Sequence, residues 1–305
     1  INAQKVILDD NLDVMFYPDI GMSNYTYILA LSRLALVQVS SLGHPNTSGI
    51  KNIDYLITTD KCSQKSESCY SECLVRFSRL PFNYSIPKIK EINTNQKILQ
   101  SLEKKFKIGL TQSLFKLHPD YDEILESILL EIKNSYLILV KGKHDYTTEE
   151  LKKRWKARNH LLIERSIFLD RMSTNNFIST IGKCDIMLDP FYFGSGNTFY
   201  EAMTFGTPFV TYISNQAASA VAEGYKQMRV EAPPIASSPE AYISWCIKYA
   251  NDSLLLESTK KDLSEKAKKY LFDDQTIYKE YYSFFNDAVK NARIGKFLEK
   301  DWKAS

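Results

Sequence analysis

The chain has 305 residues, 44% of them hydrophobic and 25% charged, with a formal net charge of +3. That is about two domains' worth of ordinary globular sequence, rich enough to bury a sizeable core. It excludes disorder, collagen and coiled coil, and the charge is too balanced to argue for nucleic acid.

The longest apolar stretch, Tyr27 to Val39, is broken by Ser32, Arg33 and Gln38, and is too short to span a bilayer. No signal peptide is visible. The five cysteines are Cys62, Cys69, Cys73, Cys184 and Cys246. Cys69 and Cys73 are spaced for one helix face, but no second Cys/His pair stands near them to complete a zinc site. They read as free thiols, which places the chain in a reducing cytoplasm. The sequence begins at Ile1 rather than methionine and runs into strand-like residues, as if an upstream part were missing.

In chain order, short apolar strands alternate with amphipathic helices, the pattern of parallel α/β units. Strands are predicted at Asp13–Tyr17, Leu34–Val39 and Ile53–Ile57, with a helical stretch from the first of them to about Arg33. A turn-rich loop runs from Ser41 to Gly49. After Leu74–Phe77 the chain turns polar through Pro81, Asn83, Pro87 and Asn93 to Asn95, which reads as a linker. A second series begins there, with strands at Phe106–Leu110, Tyr136–Val140, Ser166–Leu169, Asp185–Asp189 and Pro208–Tyr212. Helices are expected at Tyr121–Lys133, Thr147–Asn159 and Ser173–Ile181, from Asn197 to Phe205, and throughout from Pro239 to the end. The second series is a complete doubly wound domain, whereas three strands make the first only part of one. Domains are therefore expected at 1–95, 96–272 and 273–305, the last a helical segment returning to the first.

The most informative stretch runs from Asp189 through Gly194-Ser-Gly-Asn-Thr198 to Pro208. It reads as a strand end, a glycine-containing loop and a helix start. Gly194 and Gly196 let the backbone turn sharply and approach a ligand. Asn197 or Thr198 is expected to cap the helix, whose first N–H groups attract anions. Ligands of open α/β sheets bind at such loops. Glu201, one turn further on, is placed to reach a ribose hydroxyl of a nucleotide whose phosphates sit at the helix start. The alternative is a plain glycine turn, with Glu201 merely favourable near a helix N-terminus. The spacing matches neither a dinucleotide fingerprint nor a Walker loop; a sugar nucleotide fits better.

This loop resembles the donor-binding segment of UDP-sugar-dependent glycosyltransferases of the GT-B type, with two Rossmann-like domains facing a cleft. It is most similar to the group uniting O-GlcNAc transferase with bacterial N-glycosyltransferases of high-molecular-weight adhesins. Leu36–Gly49 with its Gly-His-Pro loop, the Asp-Tyr strand Ile53–Ile57, Ser66–Phe77 and Leu114–Pro119 resemble segments of the same group. They stand in the same order. The resemblance implies that Lys116 contacts the UDP phosphates, Asn197 and Thr198 the pyrophosphate, and Glu201 the ribose, where the group usually has Asp. Gly196 stands where O-GlcNAc transferase has a histidine, which favours the adhesin-type branch. Arg171, Met172, Ser173 and Phe177 occupy the uracil segment, with a plain core role for Phe177 equally open. His44 falls in a loop that faces the donor in that group, where it positions hydroxyls or moves a proton, or is structural. Asn46, Thr47 and Ser48 contact sugar or peptide, or form the turn.

A fixed ammonium plus helix N–H groups stabilise a departing diphosphate without a metal ion, and no Asp-X-Asp pair reads as set for a divalent cation. No metal or other cofactor is expected. The run Lys152–Arg158 reads as a solvated helix face with Trp155 turned to the core, and Lys260–Lys269 as another. His118, His144 and His160 suggest nothing. The function implied is an inverting, metal-independent transfer of a hexose, glucose first, from UDP to protein side chains, with Asn in Asn-X-Ser/Thr sequons as acceptor. An O-GlcNAc-type enzyme acting on Ser/Thr and a non-catalytic nucleotide-binding partner are the alternatives. The expected partners are a UDP-sugar, an acceptor protein or peptide, and an upstream domain or chain that supplies another histidine. No nucleic acid and no membrane span are expected.

Overall fold

The structure is a computed structural model in which residues 2–60, 67–89, 96–213, 220–299 and 302 are described. Two compact units divide the chain: residues 1–83 with 274–305, and residues 84–273. The boundary expected at residue 95 lies outside the described residues, as does Cys62.

The first unit opens with a helix, α1 (Asn2–Asp9), where strand-like sequence was read. Next come β1 (Val14–Tyr17), α2 (Asn24–Ala30), β2 (Val37–Ser40), β3 (Tyr55–Thr59) and β4 (Cys73–Phe77). The strands are parallel and lie in the order β1-β2-β3-β4. Leu74–Phe77 is thus part of a fourth strand rather than the end of a three-stranded piece. Two other expectations fail for local reasons. β2 begins at Val37, not Leu34, because the buried Gln38 side chain organises the residues before it. Its Oε1 accepts from the Leu34 N–H (2.7 Å), and its Nε2 donates to the carbonyls of Ser32 (3.1 Å) and Asn52 (2.8 Å). Cys69 ends a single 3-10 turn while Cys73 begins β4, so the two share no helix face.

The second unit comprises α3 (Gln96–Ser101), β5 (Phe106–Gly109), α4 (Asp120–Glu131), β6 (Ser135–Val140), α5 (Asp145–Arg158), α6 (His160–Glu164), β7 (Ser166–Leu169), α7 (Thr174–Gly182), β8 (Ile186–Leu188), α8 (Asn197–Met203), β9 (Phe209–Tyr212), α9 (Ala220–Gln227), β10 (Ile235–Ala236), α10 (Pro239–Asn251) and α11 (Ser253–Tyr270). Its six parallel strands lie in the order β10-β9-β8-β5-β6-β7. The strand order therefore reverses between β5 and β8, the switch point where doubly wound sheets bind ligands. A sheet covered on both faces needs apolar strands throughout: Leu137, Ile138, Leu139, Ile186, Met187 and Leu188 are all fully buried.

Helix α4 packs on this sheet through Tyr121, Leu125, Ile128 and Leu129, one stripe at helical spacing. Trp155 turns into the core as expected, its Nε1–H donating to Asp122 (2.9 Å), while Lys153, Lys156 and Arg158 stay exposed. The lysine-rich helix stops at Arg158, because Asn159 accepts from the Leu161 N–H (2.9 Å) and caps α6. Gly206, just past α8, has φ +66°, and a Cβ there would lie 1.9 Å from the Lys260 carbonyl oxygen. No other residue fits.

The C-terminal helix α12 (Ile277–Arg293) returns to the first unit. Its Ile277, Phe284 and Ala288 complete a core with Val37, Val39, Tyr55, Ile57, Val75 and Phe77. Among the described residues no helix is long and apolar enough to cross a membrane.

Candidate functional site

The switch point is built from the segments that leave the ends of β5 and β8. After β5 the chain passes through Thr111 and Gln112, both buried, into a 3-10 turn, Leu114–Lys116. That turn directs Lys116 back across the sheet end. Its Nζ donates to Gln112 Oε1 (3.1 Å) and to the Gly194 carbonyl (3.1 Å), and sits 4.4 Å from the centre of the Phe193 ring. Burial pulls the Lys116 pKa down, and the negative field of Asp189 pulls it back up. Lys116 is therefore half-buried rather than freely solvated. Thr111 Oγ1 and Gln112 Nε2 are buried without a hydrogen-bond partner, a costly arrangement in a folded protein unless something else meets them.

After β8 comes Asp189, completely buried, whose Oδ1 accepts from the Ser195 N–H (2.7 Å) and whose Oδ2 accepts from the Thr211 hydroxyl (2.7 Å). The helix cap differs from expectation. Gly196 occupies the N-cap position and no side chain caps α8; Asn197 and Thr198 are its first two helical residues, exposed and half-buried. A Cβ at Gly196 would meet no atom within 4 Å, so this glycine leaves the start of the helix open. The first amide N–H groups of α8 have no partner within the helix itself. Glu201 is 8% exposed and accepts a long hydrogen bond from the Tyr84 hydroxyl (3.4 Å), while Tyr84 stacks on Tyr200. Burial raises the Glu201 pKa, and burial together with the nearby carboxylate pushes Tyr84 up to about 12.

Met172 and Phe177 are half-buried around α7, beyond the end of β7, so Phe177 is not a buried core residue. Ser173 caps α7 by accepting from the Asn176 N–H (3.4 Å). His44 belongs to the first unit, in the loop after β2. Its Nδ1 accepts from the Asn46 N–H (3.4 Å), and burial lowers its pKa, which keeps the imidazole neutral near pH 7. Thr47 and Ser48 take the turn role, since both donate to the buried carboxylate of Glu72. One Asp-X-Asp spacing does occur, Asp120-Tyr-Asp122 on α4, but its carboxylates serve different partners. Asp122 holds Arg154 (2.8 Å) and Trp155, and Asp120 holds the Tyr192 hydroxyl (2.8 Å).

Sequence reading missed Asp189, Gln112, Phe193, Tyr84 and Glu72. A polar residue directly after an apolar strand was the available signal for Asp189, and the spacing of four from Lys116 was the signal for Gln112.

No family model matches the chain. It is 25% identical over 260 residues to the UDP-glucose:protein N-β-glucosyltransferase of Actinobacillus pleuropneumoniae serotype 7 (strain AP76), a match covering 81% of this chain and 40% of that protein. It is 24% identical over 274 residues to a Hordeum vulgare protein named "Probable UDP-N-acetylglucosamine--peptide N-acetylglucosaminyltransferase SPINDLY", covering 87% of this chain and 28% of that one. The chain thus spans less than half the length of these curated relatives. Among solved structures, a Thermobaculum terrenum O-GlcNAc transferase superposes with a TM-score of 0.79 at 21% identity, over 95% of this chain and 56% of the other. The fold is that of the GT-B glycosyltransferases. Anabaena HepE in complex with UDP-glucose has the same GT-B architecture, with a TM-score of 0.60 at 15% identity over 90% of this chain and 80% of its own. The relatives of this chain are those that the motifs implied: protein N-glucosyltransferases and O-GlcNAc-type transferases.

Proposed function

We propose that this chain carries the donor site of a UDP-sugar-dependent protein glycosyltransferase, and that glucose is the sugar and sequon asparagine the acceptor. The observation that carries the reading is Lys116, an ammonium held half-buried at the switch point against the loop before α8. Its charge matters most as the glycosidic bond breaks. The acceptor nitrogen bonds to the anomeric carbon, the bond from that carbon to the diphosphate oxygen breaks, and negative charge collects on UDP. A preplaced cation in a poorly hydrated site stabilises that charge more in the transition state than in the ground state.

Asn197 and Thr198 hold the diphosphate, Glu201 takes the ribose hydroxyls, and Met172 and Phe177 border the base. His44, neutral near pH 7, accepts the acceptor's proton or orients the sugar. The name of the Actinobacillus relative specifies a β-glucosyl product, and UDP-glucose is an α-glucoside, so the analogous transfer here proceeds with inversion. Lys116 and the α8 amides take the place a divalent cation holds in other transferases; EDTA is expected to leave turnover unchanged, and a strong divalent requirement would refute this.

Because the relatives extend well beyond the matched region, UDP binding to this chain is the first test. Calorimetry without metal is expected to show binding in the wild type and none in Glu201→Ala. Absence of binding by the folded wild type overturns the reading. A second reading, transfer of N-acetylglucosamine to Ser or Thr, is favoured by the superposition on O-GlcNAc transferase and by the plant relatives. Assaying UDP-glucose and UDP-N-acetylglucosamine against sequon and Ser/Thr peptides separates the two.

A further inference from the structure

We infer that Asp189 is a positioning residue of the donor site: it fixes the loop before α8 from beneath and holds Lys116 as a cation for the diphosphate. The inference rests on the donor-site reading above. Two adjacent residues of this loop are gripped from two sides. Lys116 Nζ donates to the Gly194 carbonyl, and the Ser195 N–H donates to Asp189 Oδ1. The carboxylate is itself immobilised. Its other oxygen accepts from Thr211 on β9, and its backbone carbonyl accepts from the Tyr242 hydroxyl on α10 (3.1 Å), which in turn bonds the Tyr121 hydroxyl on α4 (2.6 Å). One residue thereby ties the loop to three elements of the second unit.

A fully buried carboxylate is expensive, and hydrogen bonds alone seldom make it worthwhile. Here its field reaches Lys116 and opposes the lowering of that ammonium's pKa by burial. Tyr121 on α4, Tyr225 on α9 and Tyr242 on α10 also feel Asp189, and burial raises all three well above the usual phenol range. They stay neutral at any ordinary pH. Burial raises the Asp189 pKa too, while Ser195, Thr211 and Lys116 oppose that rise. Asp189 and Lys116 thus each favour the charged form of the other against the effect of burial. The ammonium is lost as pH rises through the lowered Lys116 pKa, and neutralising Asp189 lowers that pKa further.

The experiment compares UDP with uridine, which lacks the phosphates, binding to wild type, Asp189→Asn and Thr211→Val by calorimetry between about pH 7 and pH 9. Asp189→Asn is expected to weaken UDP at least about tenfold, as for loss of a charge-assisted contact. Uridine should change less than about twofold, within the scatter of a surface substitution. The alkaline fall in UDP affinity should begin at lower pH in Asp189→Asn, and stay at the wild-type position in Thr211→Val, which retains the charge. Equal losses for UDP and uridine, or an unchanged alkaline limb in Asp189→Asn, overturn the inference. Wild type that binds neither ligand refutes the donor-site reading instead. Should Asp189→Asn fail to fold, Thr211→Val decides: it is expected to weaken UDP more than uridine, and unchanged UDP affinity overturns the inference.

Discussion

Two loops of this molecule leave the carboxyl ends of parallel strands, and each is tied down by a buried carboxylate. In the first unit, Glu72 (5% exposed) accepts from the Thr47 hydroxyl (2.6 Å), the Ser48 N–H (2.7 Å) and the Ser48 hydroxyl. In the second, Asp189 accepts from Ser195 and Thr211. The device is the same; the surroundings differ. The first sheet runs β1-β2-β3-β4 without reversal, and hydroxyls and an amide supply the hydrogen bonds to its carboxylate. The second loop opens at a reversal of strand order and has a lysine over it. A pinned loop is a structural element; a pinned loop at a switch point with a half-buried cation is where we propose that an anionic ligand binds.

The comparison can be broken most forcefully at Lys116. Lys116→Ala is expected to lower turnover by roughly 10²–10³-fold, as for removal of one preorganised charge-stabilising group, with a much smaller change in UDP-sugar affinity. Steady-state kinetics read the two parameters separately, and weakened affinity with intact turnover would remove Lys116 from the chemistry. Next in size is Glu201. Its pKa is raised by burial, so UDP affinity should fall as pH drops through that raised value and the carboxylate protonates.

The same carboxylate costs stability. A raised folded-state pKa means that its burial penalty is fully present above the folded pKa, is relieved as pH falls through it, and is gone below the unfolded one. Glu201→Gln should therefore raise the unfolding temperature by roughly a few degrees near pH 7 while weakening UDP. Calorimetric scans that show destabilisation would contradict this.

Glu72→Gln sharpens the contrast from the other side. It should cost about 1–3 kcal/mol by leaving buried donors poorly met, read in denaturant unfolding, yet leave UDP affinity unchanged. At the bottom of the scale, Lys153→Ala alters a side chain that is 79% exposed and lies 4.0 Å from Glu150. It should move stability by less than about 0.5 kcal/mol and UDP affinity not at all.

Much of the second sheet was legible because parallel strands buried on both faces read as apolar runs, as Tyr136 to Val140 does. β10 was not: it is two residues behind Pro233 and Pro234, too short to show a pattern. The start of β2 was misplaced because a side chain, Gln38, supplied partners that a pattern of apolar residues does not encode. Lys116, Asn197 and Glu201 were legible as candidates from motif order, and all three fall on the segments that follow β5 and β8. Tyr84 was not, since it stands 117 positions from Glu201 and meets it only after folding. Asp189 sat in plain view at a strand end, but its partners on β9 and α10 lie far along the chain.

The second unit interrupts the first in the chain, and its own ends meet: Tyr84 pairs with Phe272, and the Asp273 N–H donates to the Tyr84 carbonyl (3.0 Å). On a ribosome this imposes an order of events. The first sheet emerges with the face formed by Val39, Ile57, Val75 and Phe77 still lacking its cover of Phe284 and Ala288. At ordinary synthesis rates, making residues 84–273 keeps that face waiting for roughly 10–40 s. Nascent-chain handling by chaperones should therefore concentrate on the opening strands, while residues 84–273, closed at both ends, complete their fold first and stay tethered to an unfinished neighbour.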